Sequence, residues 1–83
     1  MELFSVHDIK ANLYFPPQAY RNSGEACRAF DTTCKNEETN FAKYPDDFTL
    51  CKIGNWDEEK GIIDPCTPQS IARATDYVNT QTE

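Results

Sequence analysis

A short run of aromatic residues, followed by spaced basic residues, has the side-chain types that bind single-stranded DNA. Aromatic rings stack on bases whatever the sequence, and Lys or Arg side chains neutralise phosphates. The candidate residues for binding DNA or another partner are Tyr14, Phe15, Tyr20, Arg21, Arg28 and Lys35. The same pattern suits a structural interpretation, in which the aromatic residues are the lid of a small core and the basic residues are surface charge on a helix.

Net charge restricts what these residues can do. The 83-residue chain has 8 Lys and Arg residues against 14 Asp and Glu residues, so its formal net charge is −6. Nonspecific DNA binding depends on the release of counterions from many phosphates, and an acidic chain can make few such contacts. A broad DNA coat is therefore disfavoured. A local cluster remains feasible, because charges farther apart than about 8 Å are largely screened at physiological salt.

Four cysteines raise the questions of zinc binding and of disulfide bonds. Cys27 and Cys34 lie on one predicted helix, where seven residues separate their Cα atoms by roughly 10 Å, too far for a disulfide. The chain has no C-x-x-C pair, and His7 is its single histidine, so the ligand spacing of a zinc module is missing. We expect Cys27, Cys34, Cys51 and Cys66 to be small buried apolar side chains, with no metal and no cofactor.

The sequence predicts a noncatalytic protein. His7 and Asp8 are adjacent in a predicted strand over residues 2–9, so their side chains point to opposite faces and cannot act together. The acidic run Asp57–Glu59 lies in an exposed loop, so a general-acid role is not expected there. Three glycines are too few for a glycine-rich phosphate loop.

Local signals place the first half of the predicted structure. Phe4 and Val6 mark the buried side of the first strand. A short extended segment, Leu13–Phe15, stops at Pro16 and Pro17, which places it at a sheet edge or in a loop. Asn22 is the predicted N-cap of a helix, with Glu25 completing a capping box. The inward residues of that helix are Ala26, Cys27, Phe30 and Cys34.

The second half is predicted to be a hairpin and a helix. A turn at Tyr44–Asp47 precedes a strand over Phe48–Ile53, and a loop at Asp57–Gly61 has Gly61 in the left-handed region. The return strand covers Ile62–Asp64. Thr67 and Pro68 have the types of an N-cap and first residue, so they predict a second helix with Ile71, Ala74 and Val78 inward. Residues 79–83 are expected to fray.

This order predicts one α+β domain over residues 1–83, with a three- to four-stranded sheet and two helices on one face, in β-α-β-β-α order. Phe48–Ile53 is expected to be central, with its hairpin partner on one side. The first strand is expected on the other side, parallel to it through a right-handed crossover. An alternative order has the third strand in the middle of a wholly antiparallel sheet. The sequence leaves both orders open.

Several segments resemble one viral family. Residues 41–50 read FAKYPDDFTL, and Ile53, Gly54, Trp56 and Asp57 follow in a recognisable pattern; Phe4–Asp8 and Ala26–Phe30 add further matches. This pattern resembles the small nonstructural protein of gokushovirus-type microviruses, which are single-stranded DNA bacteriophages. The resemblance covers most of residues 3–78. It implies a nonstructural protein, labelled DNA-binding, that acts when new genomes are replicated and packaged.

Two functions are therefore expected. The first is an accessory protein that binds single-stranded DNA through the six candidate residues. The second is a protein-interaction module without direct DNA contact, either a homo-oligomer or a binder of another phage or host replication protein. Oligomerisation would help so small a core. No apolar run approaches the roughly 20 residues of a membrane span, and the N-terminus lacks a signal-peptide layout. We expect no membrane partner and a location in the host bacterial cytoplasm.

Overall fold

The computed structural model describes residues 1–78 and has an α+β fold. The predicted frayed tail, residues 79–83, lies outside the described residues. The elements are the strands β1 (Glu2–Asp8), β2 (Leu13–Tyr14), β3 (Gln18–Tyr20), β4 (Phe48–Asp57) and β5 (Ile62–Arg73), the helices α1 (Ser23–Cys34) and α2 (Asn40–Lys43), and 3-10 turns at Pro45–Asp47 and Ala74–Asp76. None of the helices in residues 1–78 has the length and apolar character needed to cross a membrane.

The sheet has five strands, and all of its described pairings are antiparallel. The order is β2-β1-β4-β5, and β3 also pairs with β1. β4 is internal, as predicted, but the parallel pairing of the first strand with it is wrong. The backbone N–H of Ile9 donates to the carbonyl of Asp47 at 2.9 Å. The chain therefore enters β4 beside the end of β1 and must run back along it. The alternative order correctly made the sheet wholly antiparallel. It placed the third predicted strand in the middle, however, and that strand is β5, which lies at an edge.

The predicted helix beginning at Thr67 is wrong, because this segment belongs to β5. In the pairing with β4, Lys52 lies opposite Gln69 and Gly54 lies opposite Pro65, so β5 bulges between them. A bulge on an edge strand tolerates proline, whose missing N–H leaves no ladder bond unmade. Thr67 and Pro68 occupy that bulge. The second helix is instead the short α2, where Thr39 Oγ1 accepts from the Ala42 N–H at 3.3 Å.

The N-terminus of α1 confirms the predicted cap. Asn22 Oδ1 accepts from the Glu25 N–H at 2.9 Å. The reciprocal bond of the capping box is displaced by one residue, because Glu25 Oε1 accepts from the N–H of Arg21 at 3.2 Å. Each bond satisfies a backbone donor at the end of the helix.

The hairpin loop also has its predicted geometry. Gly61 has φ of 68°, in the left-handed region, and its N–H donates to the Asp57 carbonyl at 2.8 Å. Asp57 Oδ1 accepts from the N–H groups of Glu59 and Lys60 at 3.0 and 3.1 Å. These bonds close the loop far from the core. We call Met1–Leu3 with residues 54–65 the hairpin arm; it contributes to the 50 Å long axis of a molecule that is 24 and 19 Å across.

The core lies between the helices and one face of the sheet. Phe4, Phe48, Leu50 and Ala72 contribute from this helix-covered face, and α1 contributes Ala26, Phe30 and Cys34. From α2, the Phe41 ring packs 4.6 Å from that of Phe48. Because side chains alternate along a strand, the residues between these positions form a second, helix-free face. Within residues 1–78, the helical residues of the core cluster pack against the helix-covered face and not against the second face.

Candidate functional site

Two adjacent candidates, Tyr14 and Phe15, point to opposite faces of the sheet. The Tyr14 ring is 44% exposed and stacks on His7, with centroids 4.4 Å apart and planes 17° from parallel. Phe15 faces the helices, where its ring lies 5.7 Å from Phe41 and 6.2 Å from Phe48. The Phe15 ring therefore packs as part of the core lid, while Tyr14 is displayed at the sheet edge.

Tyr20 lies at the other end of the same edge, in β3. Its ring packs 6.0 Å from that of Phe4, and its hydroxyl donates to Gln18 Oε1 at 2.8 Å. The side chain is half-buried and belongs to the packing around the core. Stacking a base on this ring would require it to leave Phe4.

The three candidate cations lie on or beside α1, and two of them have acidic partners. Lys35 Nζ lies 2.9 Å from Asp31 Oδ1, and Arg21 Nε lies 3.7 Å from Glu25 Oε2. Arg28 makes no ion pair within residues 1–78. Exposed pairs of this kind are weak and can open, but their carboxylates lower the local positive potential. The spacing of four residues in each pair could have revealed this from the sequence.

The structure does not bring all six candidates together. Tyr14 lies on the helix-free face of the sheet. Arg28 and Lys35 lie on α1, which packs against the other face. A single strand of DNA could therefore not stack on Tyr14 and follow the helix cations across one continuous surface.

The hairpin arm extends the exposed acidic loop that the sequence predicted into a larger acidic surface. Its loop and the start of β5 carry exposed Asp57, Glu58, Glu59 and Asp64, with Lys60 among them. Ile62 is 54% exposed beside these side chains. A shallow concavity of about 760 Å³ lies here. The sequence indicated a hairpin loop, but it gave no sign that β5 continues to Arg73 and that residues 61–70 stay exposed.

A second concavity, of about 230 Å³, lies between α1 and β1. Phe4, Phe15, Phe30 and Leu50 line it, and its walls carry no carboxylate, histidine, lysine or cysteine. Its polar groups are already engaged in part, because the Tyr20 hydroxyl donates to Gln18 Oε1 at 2.8 Å. This space suits a small apolar group.

The cysteines do not converge. All four are free, and no cluster of three or more potential metal ligands occurs within residues 1–78. Cys34 and Cys51 are buried and Cys27 is half-buried, but Cys66 is exposed. The expectation of four buried cysteines is therefore wrong for Cys66, because the exposed part of β5 extends beyond the core.

The buried Cys34 thiol and the half-buried Tyr77 hydroxyl make the stability of the core depend on pH in the alkaline range. Burial raises the pKa of Cys34 from 9.0 to about 11, with a further contribution from Asp31. A hydrogen bond with the Cys27 thiol, and then burial, raises the pKa of Tyr77 to about 12. In both cases the folded protein holds the proton more tightly than the unfolded chain does. Their contribution to stability is complete below the unfolded pKa and is lost as the pH rises through the folded pKa.

We therefore expect the melting temperature to fall between about pH 9 and about pH 11, as Cys34 ionises in the unfolded chain first. Cys34→Ala should flatten this decline, since alanine removes the thiol proton. The measurement is thermal unfolding of both proteins across the same pH series. Because the substitution also changes packing, the slopes are compared and not the absolute temperatures. Equal slopes would show that Cys34 is not the source.

Comparison with protein families gives a match over nearly the whole chain. The model of the family described as Phage ORF5 protein matches residues 1–77. No curated protein and no solved structure matches the chain.

Proposed function

This chain belongs to the phage ORF5 protein family, and from that premise we propose that it is a noncatalytic accessory protein of a gokushovirus-type microvirus. Its role is in the replication or packaging of a single-stranded DNA genome in the host bacterial cytoplasm. The resemblance of residues 41–57 to the nonstructural proteins of these phages supports this role.

The mode of action that the geometry supports best is contact with another phage or host replication protein. The observation that carries it is the exposed acidic arm, on which Glu58 and Glu59 flank an exposed Ile62. No ion pair engages these carboxylates within residues 1–78. Unpaired charge steers a partner of opposite sign, and an exposed apolar side chain gives it area to bury. The partner surface is therefore basic with apolar residues.

Direct binding of single-stranded DNA is the second candidate function. The exposed Tyr14 ring and the unpaired Arg28 favour it, since one can stack a base and the other can meet a phosphate. Because the Tyr14 ring and Arg28 lie on opposite faces of the sheet, one bound strand could stack on the ring or pair with the guanidinium group, but not both at once. The negative net charge weakens it further.

The test of the proposed mode reverses charge at two places. Tagged wild-type protein, Glu58→Lys/Glu59→Lys and Glu37→Lys/Glu38→Lys are used to capture proteins from infected cells, and each captured protein is then purified and titrated. The second variant is a matched control, because Glu37 and Glu38 are an exposed acidic pair in the connector after α1. We expect the arm variant to weaken partner binding at least about 10-fold and the control to leave it nearly unchanged. Equal losses would contradict a role for the arm.

A titration of phage-length single-stranded DNA separates the two candidates. We expect no measurable binding at about 50 mM salt, where phosphate contacts are strong. Tight binding there that Tyr14→Ala or Arg28→Ala abolishes, together with no captured protein, would establish the DNA-binding function and overturn the protein-contact mode.

A further inference from the structure

The helix-free face of the sheet carries both polar and apolar side chains, and its exposed apolar ones are concentrated at the hairpin arm. On β1 it carries Leu3, Ser5 and His7, and on β4 it carries Cys51 and Trp56, as strand pairing and alternation require. In an antiparallel sheet with helices on one side, the other side is usually polar. Here the centre is occupied by small side chains, and larger apolar ones lie toward the arm.

In the hairpin arm, one row of this face crosses three strands. The Trp56 N–H donates to the Met1 carbonyl at 2.7 Å, the Met1 amine donates to the Trp56 carbonyl at 3.2 Å, and Trp56 pairs with Ile63. Cross-strand partners point to the same side of a sheet. Met1 is 42% exposed and Ile63 is 59% exposed. This row is an apolar surface that residues 1–78 leave uncovered.

Charge is distributed unequally between the two faces. The acidic residues within the paired strands are Glu2, Asp8, Asp57 and Asp64, and pairing places all of them on the other side from Trp56 and Ser5. The helix-free face carries no carboxylate on its paired residues, which include Met1, Leu3, Ser5, Trp56 and Ile63. Its basic residues are His7 and Arg73. A face free of acidic residues is notable in a chain of net charge −6.

We propose that two copies of this chain pack against each other through their helix-free faces. A second copy is the occupant that the charge distribution favours, because acidic chains repel except where carboxylates are absent. A strongly basic partner would gain little from a face without carboxylates, and Arg73, the single arginine among its paired residues, gives a nucleic acid few phosphate contacts. Symmetric dimers use the same patch on both subunits, so a patch must tolerate its own copy. This inference is independent of the proposed function.

The dimensions of the face suit a dimer of modest stability. The strands of the main sheet path, β2, β1, β4 and β5, hold 2, 7, 10 and 12 residues, which define a face of roughly 500 Å² at about 3.3 Å per residue and about 4.8 Å per strand. Burying it on both copies removes roughly 1,000 Å², the size of a weak interface. Ser5 and Cys51 are cross-strand partners at its centre and are 3% and 4% exposed, so they are already covered within one copy. The contact area therefore comes mainly from the row of Met1, Trp56 and Ile63, where Met1 and Ile63 are exposed.

Ile62 and Ile63 provide a matched test. They are adjacent, of one type and similarly exposed, but their cross-strand partners are Asp57 and Trp56, so they lie on opposite faces. Ile63→Glu puts a carboxylate on the proposed interface of both copies, and Ile62→Glu makes the same change in net charge on the acidic face. Sedimentation velocity over a range of concentrations measures the dimer dissociation constant, and circular dichroism checks that both variants fold.

We expect the wild-type chain to dimerise, Ile63→Glu to raise the dissociation constant at least about 100-fold, and Ile62→Glu to change it little. Trp56, the single tryptophan, gives a second readout. Its emission should shift to the red on dilution of the wild type and should already be red-shifted in Ile63→Glu. A wild-type chain that stays monomeric at high concentration would overturn the proposal. So would equal effects of the two substitutions.

Discussion

Replacing Phe4 with alanine is expected to lower the free energy of unfolding by about 3–5 kcal/mol, the usual cost of removing a buried phenyl ring. Phe4 is 1% exposed and is one of the two largest fully buried side chains. Its ring meets Tyr20 and lines the 230 Å³ concavity beside α1. Removing the ring would enlarge that space, and the flanking strands β3 and β4 limit collapse around it. The lost packing is therefore not recovered.

A loss of this size is a large fraction of the total stability of a small domain. Urea unfolding followed by circular dichroism measures it, with Ile9→Ala as the control. Ile9 is an exposed aliphatic side chain just after β1, so its truncation should cost less than about 0.5 kcal/mol. If Phe4→Ala fails to fold, Phe4→Leu keeps the test usable, with an expected loss of about 1–2 kcal/mol. A cost for Phe4→Ala close to that of Ile9→Ala would contradict the position of the core.

The features that the sequence predicted correctly are those set by neighbours along the chain. The Asn22 cap, the left-handed Gly61 and the turn at Pro45 each depend on bonds or dihedral angles within a few residues. Such bonds form in the same way whatever the rest of the chain does. The α+β class followed from them, because they fix where most helices and strands begin.

The errors concern distant parts of the chain. Thr67 and Pro68 suit both a helix start and an edge-strand bulge, and pairing with β4 decides between them. The direction of β1 depends on where the chain re-enters the sheet, which the Ile9 to Asp47 bond sets. Local propensity carries no information about either choice.

The six candidate residues are divided between the two faces for a related reason. The sequence shows that Tyr14 and Phe15 are adjacent and aromatic, but only the register against β1 shows which one faces the core. The partners of Arg21 and Lys35 were visible as acidic residues four positions away. The extension of β5 beyond Asp64 was not visible, because pairing with β4 continues it to Arg73.

Gly54→Ala is the second substitution with a large expected effect, a loss of about 3 kcal/mol in the free energy of unfolding. A Cβ atom at Gly54 would lie 2.7 Å from the Asp64 carbonyl oxygen and 3.1 Å from Pro65 Cα. Both neighbours are backbone atoms, and the ring of Pro65 fixes its own φ. Relief of the clash therefore requires β4 and β5 to separate at the base of the arm.

Gly61→Ala distinguishes this close approach from a general cost of replacing glycine in the hairpin. No atom lies within 4 Å of a Cβ built at Gly61, but its φ of 68° strains any other residue, so about 1 kcal/mol should be lost there. Urea unfolding of both variants makes the comparison. Because Gly54 also joins Trp56 on the helix-free face, Gly54→Ala should shift Trp56 emission, whereas Gly61→Ala should not. Equal costs and equal spectra would mean that β4 and β5 are farther apart at this point than the structure places them.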